Sequence, residues 1–446
     1  MAPLPPEEAA SALKVAAALA RRRDTGWLTA GRVWWYGSLA AVVLLVGWWV
    51  YATFIDTPPR PDAPSSMARS AAASAWSTQD GDNRGVRSTP APAHLGGAEA
   101  WRTALGSPAA TALVTDGRLI VAPLQDGRLV GIEASSGKTL WTATLTLNNP
   151  PLSAPVIAGD RIYVAQREGL ILVLDATDGK EVWRQRNVAD SFEASPLVVD
   201  GVVYAYSTDG LFAFDAEDGR ILWKRVFEVG SAKVAPVVEG NYLVVATGDK
   251  TIVFDRTSGE QTYYVTFSRM QPSSVAIRDS KVLALYGRNA TAFDASSRHP
   301  WWMALANASI GGDAIRSFWF RMHLYRMAPA VPMEATVWDV TSLPKRTMAA
   351  AVGQDVVVVT SPDGVVTALG QADGKPAWTA KTNRLVAAPI VTADGVLFTE
   401  EGRLLLLDVA TGQQRAERKI EGLRGATPAE AATYVATAAG EVIALR

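Results

Sequence analysis

His94, His299 and His323 are the chain's only histidines, and so its only side chains that ordinarily titrate near neutral pH. None has a partner at metal-ligand spacing, so each is expected as a lone surface or loop imidazole. Cysteine is absent, which removes disulfides, thiolate metal sites and a lipid-bearing cysteine. The recurring acids precede Gly-containing turns, where a structural task accounts for them. A nucleophile elbow, a phosphate loop and a dinucleotide glycine pattern are all missing. The expected catalytic, cofactor-binding and metal-binding residues are therefore none.

One segment is equipped for recognition instead. In residues 311–327, Ile315, Phe318, Trp319, Met322 and Tyr325 fall at helical spacing, leaving Arg316 and Arg326 to project elsewhere. Gly311 and Gly312 precede it, and Pro329 and Pro332 follow. Aromatic and Arg side chains are the usual anchors of protein interfaces. Arg316, Phe318, Trp319, Arg321, Tyr325 and Arg326 are the candidate partner-contact residues. The alternative is that these rings pack on the chain's own fold.

The elements around that segment are set by a repeat of about 40 residues. Each copy is an apolar run, an acid, a Gly four residues on, and often an aromatic four residues later, as in 169–183 and 210–223. The acid falls at Glu133, Asp175, Asp215, Asp255 and Asp294, in steps of 42, 40, 40 and 39, and Gly370 and Asp408 hold the slot later. The aromatic slot is assigned to Trp141, Trp183, Trp223, Tyr263, Trp302 and Trp378, with Ala416 as a lapse. Long β-branched runs suit strands covered on both faces. Asp bonds the backbone two residues ahead, and Gly takes the positive φ of the turn. The pattern predicts an all-β, eight-bladed β-propeller over 98–446. The strand around Trp101 completes the last blade, which leaves no open edge at the seam. Residues 303–346 are read as an insertion, with a degenerate ninth blade around Trp338-Asp339 as the alternative.

Residues 33–55 carry no charge and are flanked by Trp34, Trp35 and Tyr36 on one side and Trp48, Trp49 and Tyr51 on the other. As helix they would span roughly 35 Å, enough for a bilayer core, with aromatic belts at both interfaces. Lys14, Arg21, Arg22, Arg23 and Arg32 precede the span, so residues 1–32 are expected in the cytoplasm as a basic tail and the propeller outside. A cleaved signal peptide, cut near 71–75, is the alternative. Residues 56–97, rich in Pro, Ala and Ser, are expected as a linker. The near balance of 43 basic and 44 acidic residues argues against a nucleic-acid partner.

The phrase Leu-Asp-Ala-x-x-Gly-Lys-x-x-Trp at 174–183 resembles the repeat of pyrroloquinoline-quinone-like (PQQ-like) β-propellers. That family includes periplasmic quinoprotein dehydrogenases and the propeller lipoprotein of the outer-membrane barrel-assembly machinery. The resemblance implies the fold. The dehydrogenases carry adjacent cysteines over the quinone and an acidic calcium cluster, and the lipoprotein carries a lipidated cysteine; this chain lacks the cysteines. The expected function is a single-pass, membrane-anchored extracytoplasmic propeller that binds or scaffolds an envelope protein, without a cofactor. A quinoprotein oxidoreductase and a ligand-sensing propeller are the alternatives.

Overall fold

Each copy of the repeat supplies one four-stranded antiparallel sheet. The computed structural model describes residues 14, 35–47, 62–67, 70, 76–145, 150–167, 169–186, 191–226, 233–248, 250–267, 272–297, 325 and 336–446. Contacts divide the chain into residues 1–60 and 61–446, taken in turn. In the first unit, residues 35–47 are helical, with Leu39, Val42, Val43, Leu44, Leu45 and Val46 all exposed. Among the described residues no helix is long and apolar enough to cross a membrane. The rest of the expected span over 33–55 lies outside them.

In the second unit the described strands form eight four-stranded sheets. We number them blades I (114–144), II (156–185), III (197–226), IV (237–266), V (272–340), VI (351–381), VII (385–419) and VIII (423–445 with 99–104). Glu99–Ala104 pairs antiparallel with Glu441–Leu445, Trp101 opposite Ala444, so the amino-terminal strand closes the ring as the sequence predicts. The core consists of eight apolar seams, each shared by two neighbouring blades. Tyr163 and Phe212, for example, join blades II and III, and Tyr434 and Ile120 join blades VIII and I.

The repeat's punctuation does what its residue types require. Asp175 Oδ1 accepts the Thr177 N–H at 2.8 Å, and Asp215, Asp255, Asp294 and Asp408 each accept the N–H two residues ahead. Leu170–Asp175 is buried along almost its whole length, as a strand between two covered faces should be. The ring of each outer-strand Trp reaches the turn of the next blade. Trp141 Nε1 donates to Ala176 O at 2.9 Å, Trp183 to Ala216 O at 3.1 Å, and Trp378 to Val409 O at 2.9 Å.

One slot needs correction. The outer strand of blade V is Thr336–Val340, so the aromatic position belongs to Trp338, and Trp302 lies outside the described residues. Trp338 pairs with Ala292 and donates to Gln371 O at 2.8 Å, as Trp141, Trp183 and Trp378 do to their own next turns. The insertion therefore separates the third and fourth strands of a single blade, and the ring has eight sheets rather than nine. The likeness of 335–340 to 290–295 reflects two strands of one sheet.

Candidate functional site in the central channel

The innermost strand of a propeller blade has a neighbour on one side only. Its other edge presents backbone N–H and C=O groups to the central channel, and buried groups of this kind must find partners. Here the chain itself supplies them. Residues 76–93, from the stretch expected as a linker, run around the channel and touch every blade.

Four contacts cover the first half of the ring. Thr115 N donates to Trp76 O (2.8 Å) in blade I and Ile157 N to Ser77 O (3.0 Å) in blade II. Asn83 Nδ2 donates to Val198 O (3.1 Å) in blade III, and Val238 N to Asn83 O (2.7 Å) in blade IV. The second half follows in chain order. Ile277 N donates to Arg84 O (2.9 Å), Val352 N to Val86 O (2.7 Å) and Val391 N to Arg87 O (3.0 Å), in blades V, VI and VII. Blade VIII closes the circle through Thr433 Oγ1, which donates to Ala93 O at 2.6 Å.

These positions are equivalent. Thr115, Ile157, Val198, Val238, Ile277, Val352 and Val391 each pair with the residue five further along, in the first hairpin of their blades. The strap is thus held at one level of the channel, near the face that carries the first hairpins and the Asp-Gly turns. Residues 62–67 lie on that same face: Ser65 donates to Asp215 at 2.6 Å, and Asp62 pairs with Arg220 at 2.6 Å.

The strap's own residues fix its shape. Trp76 and Val86 are 2% and 0% exposed. Arg87 pairs with Asp80 at 2.6 Å, and its Nε and Nη2 donate to Pro389 O and Ala388 O at 3.1 and 3.2 Å. Its guanidinium also lies 5.7 Å from the centroid of the Trp76 ring, within cation–π range. Gly85, at φ +66°, sits where a Cβ would come within 2.7 Å of both Val237 and the Val275 carbonyl, so only glycine fits.

Beyond the strap, on the opposite face, lies a bowl of about 780 Å³ between blades VII, VIII and I. Its floor is Trp76, Gln79 and Arg87, and its wall carries Arg384, Glu401, Glu421, Arg424 and Gln125. Opposite charges are mixed there, which suits binding a polar surface better than activating a nucleophile. The perturbed carboxylates are elsewhere, most of them in the turns. Asp175 is held below the usual carboxylate range chiefly by the Thr177 hydroxyl and N–H. Asp408 is pulled to about 2, first by the backbone N–H of Thr411 and then by its hydroxyl.

Of the residues expected to contact a partner, Tyr325 is described and is 75% exposed. Arg316, Phe318, Trp319, Arg321 and Arg326 lie outside the described residues. The strap was missed by sequence reasoning. Its one local signal was Trp76 and Val86, buried apolar side chains set in a Pro/Ala/Ser-rich stretch.

The residues present do not fit a pyrroloquinoline quinone in the manner of the dehydrogenases. The chain has no cysteine, no group of three His, Asp or Glu among the described residues could hold a metal, and one level of the channel is filled by residues 76–93.

Comparison with known proteins agrees with the geometry. BamB from Moraxella catarrhalis superposes with a TM-score of 0.58 at 15% identity, covering 78% of this chain and 97% of that one. The computationally designed protein Ika8 gives 0.58 at 14% identity, covering 77% and 97%. The quinohemoprotein alcohol dehydrogenase of Comamonas testosteroni gives 0.62 at 13% identity, covering 84% and 81%. At such identities the likeness is one of fold. Among curated proteins none matches the sequence. The family described as outer membrane protein assembly factor BamB matches residues 93–154, 125–262, 210–317 and 333–446, almost the whole ring, and the chain belongs to this family of PQQ-like β-propellers.

Proposed function

We propose that this chain is a membrane-anchored, extracytoplasmic propeller that binds another envelope protein and serves as a scaffold. The observation that carries the reading is the filled channel. With the inner strands of blades I to VII bonded to residues 76–93, the ring offers its outer surfaces and the bowl, rather than a through-going axial site. Membership of a family described by an outer-membrane assembly factor supports a role in protein interaction. The uncharged stretch over 33–55, helical and apolar-exposed over 35–47, supports an anchor, and the basic residues before it support an outward-facing ring.

Two measurements test this. Protease added outside intact spheroplasts should digest the ring while sparing an epitope at residues 1–32; the opposite pattern overturns the topology. Photo-crosslinkers placed on the ring's exposed positions should give discrete adducts with one or a few envelope proteins. If every position on both faces gives no adduct, the scaffold reading fails.

A further inference from the structure

The strap does more than pass through the ring. A tether needs no fixed shape, whereas residues 76–93 bond to equivalent backbone positions around the channel and bury Trp76 and Val86. They also place Gly85 where no side chain fits and close on themselves through the Arg87–Asp80 pair. Those are the properties of a bound peptide ligand: main-chain hydrogen bonds for affinity and side-chain fit for selectivity.

We propose that the channel is a peptide-binding site whose occupant is the chain's own segment 76–93. This site holds the ring to the segment that precedes it independently of the covalent junction after Gly96. At the junction Gly96 itself adds no packing, since it is exposed and a Cβ there would meet nothing within 4 Å. Freeing the strap from its amino-terminal side means breaking its contacts with the inner strands of many blades in turn. Removing the strap would leave backbone N–H groups exposed in blades I, II, IV, V, VI and VII. The strap also seals the channel on the face where residues 62–67 lie, so anything entering the axis must come through the bowl on the other face.

The test uses the full-length protein purified in detergent, with one protease site inserted between Gly96 and Gly97 and a second between Ser70 and Trp76. After cutting at the first site, fragments 1–96 and 97–446 should co-elute and stay together on dilution to nanomolar concentration. After cutting at both sites, the excised strap should still co-elute with the ring, which removes any contribution from residues 62–70. Separation of the strap from a ring that keeps its β-sheet circular dichroism overturns the proposal. Trp76→Ala with Arg87→Ala should speed release of the cut strap by about tenfold or more. Release at an unchanged rate from a folded variant ring would also overturn it. The readouts need neither a membrane nor a partner, so failure here is distinct from failure of the scaffold reading.

Discussion

Gly179 of blade II lies against the indole of Trp141 in blade I, so that a Cβ on Gly179 would stand 2.6 Å from Trp141 Cε3. The same relationship links Trp101 to Gly137, Trp183 to Gly219, Trp223 to Gly259, Trp338 to Gly374 and Trp378 to Gly412. It is missing at two seams, and at those two the outer strand has no Trp. Tyr263 of blade IV faces blade V, whose turn is replaced by the insertion; its ring packs on Phe293 at 5.9 Å. Ala416 of blade VII faces blade VIII, which has no such turn because the closing strand comes from the other end of the chain. Leu95, on the segment entering that blade, shares an apolar cluster with Ala416. Trp and turn Gly are therefore one device divided between neighbouring blades.

Gly179→Ala should accordingly be far more damaging than a surface turn substitution. Gly179 has φ +70°, where a side chain costs about 1–2 kcal/mol, and crowding the indole adds about 1–3 kcal/mol. Chemical denaturation should show a destabilisation of about 2–5 kcal/mol. An unchanged midpoint would mean that the ring slides aside and the seam is loose.

Restoring the missing Trp should not help. Trp141→Ala should cost about 3–5 kcal/mol, since it removes a buried ring and its bond to Ala176 O. Ala416→Trp completes the repeat by sequence but brings an indole into space shared with Leu95, and should itself cost about 1–3 kcal/mol. Thermal melts of both variants decide it. A stabilised Ala416→Trp would show that the lapse is accidental.

These seams also show why parts of the structure were legible and others were not. Asp175, Gly179 and Trp183 act within one hairpin, so their spacing survives in the sequence and gives the blade directly. Trp338 escaped its slot because the insertion moves it beyond local spacing from Asp294, while Trp302 stood near the expected distance. The strap left no period at all. Its partners are backbone groups from Thr115 to Val391, and a carbonyl accepting an N–H imposes no residue type on either side. Trp76, Asn83, Gly85 and the Asp80–Arg87 pair are specified by side-chain identity, and none announces its partners in advance.

Acid should weaken the turns in a defined window. The folded pKa of Asp408 is about 2, below its unfolded value near ~3.9. The folded state thus favours the ionised form; that contribution is complete above the unfolded value and is lost as pH falls through the folded one. Asp408→Asn should lower the melting temperature by a constant amount above about pH 5, with the gap closing between about pH 4 and 2. A gap that persists undiminished at the lowest pH would assign the effect to lost packing instead of ionisation.

Inside the channel, charge is more costly to disturb. Arg87 and Asp80 are 2.6 Å apart, with side chains only 11% and 21% exposed. Removing one partner leaves the other charge in a poorly hydrated place, at a cost of about 3–5 kcal/mol. Arg87→Leu should therefore destabilise strongly, and Asp80→Asn combined with it should cost less than the two singles added together. A double-mutant cycle from urea midpoints should give a coupling of about 1 kcal/mol or more. Full additivity would mean that the two charges are solvated separately and that the strap's shape depends on Trp76 and the glycines alone. Because Arg87 also donates to two carbonyls of blade VII, Arg87→Lys, which keeps the charge but loses the fork, should recover only part of the loss.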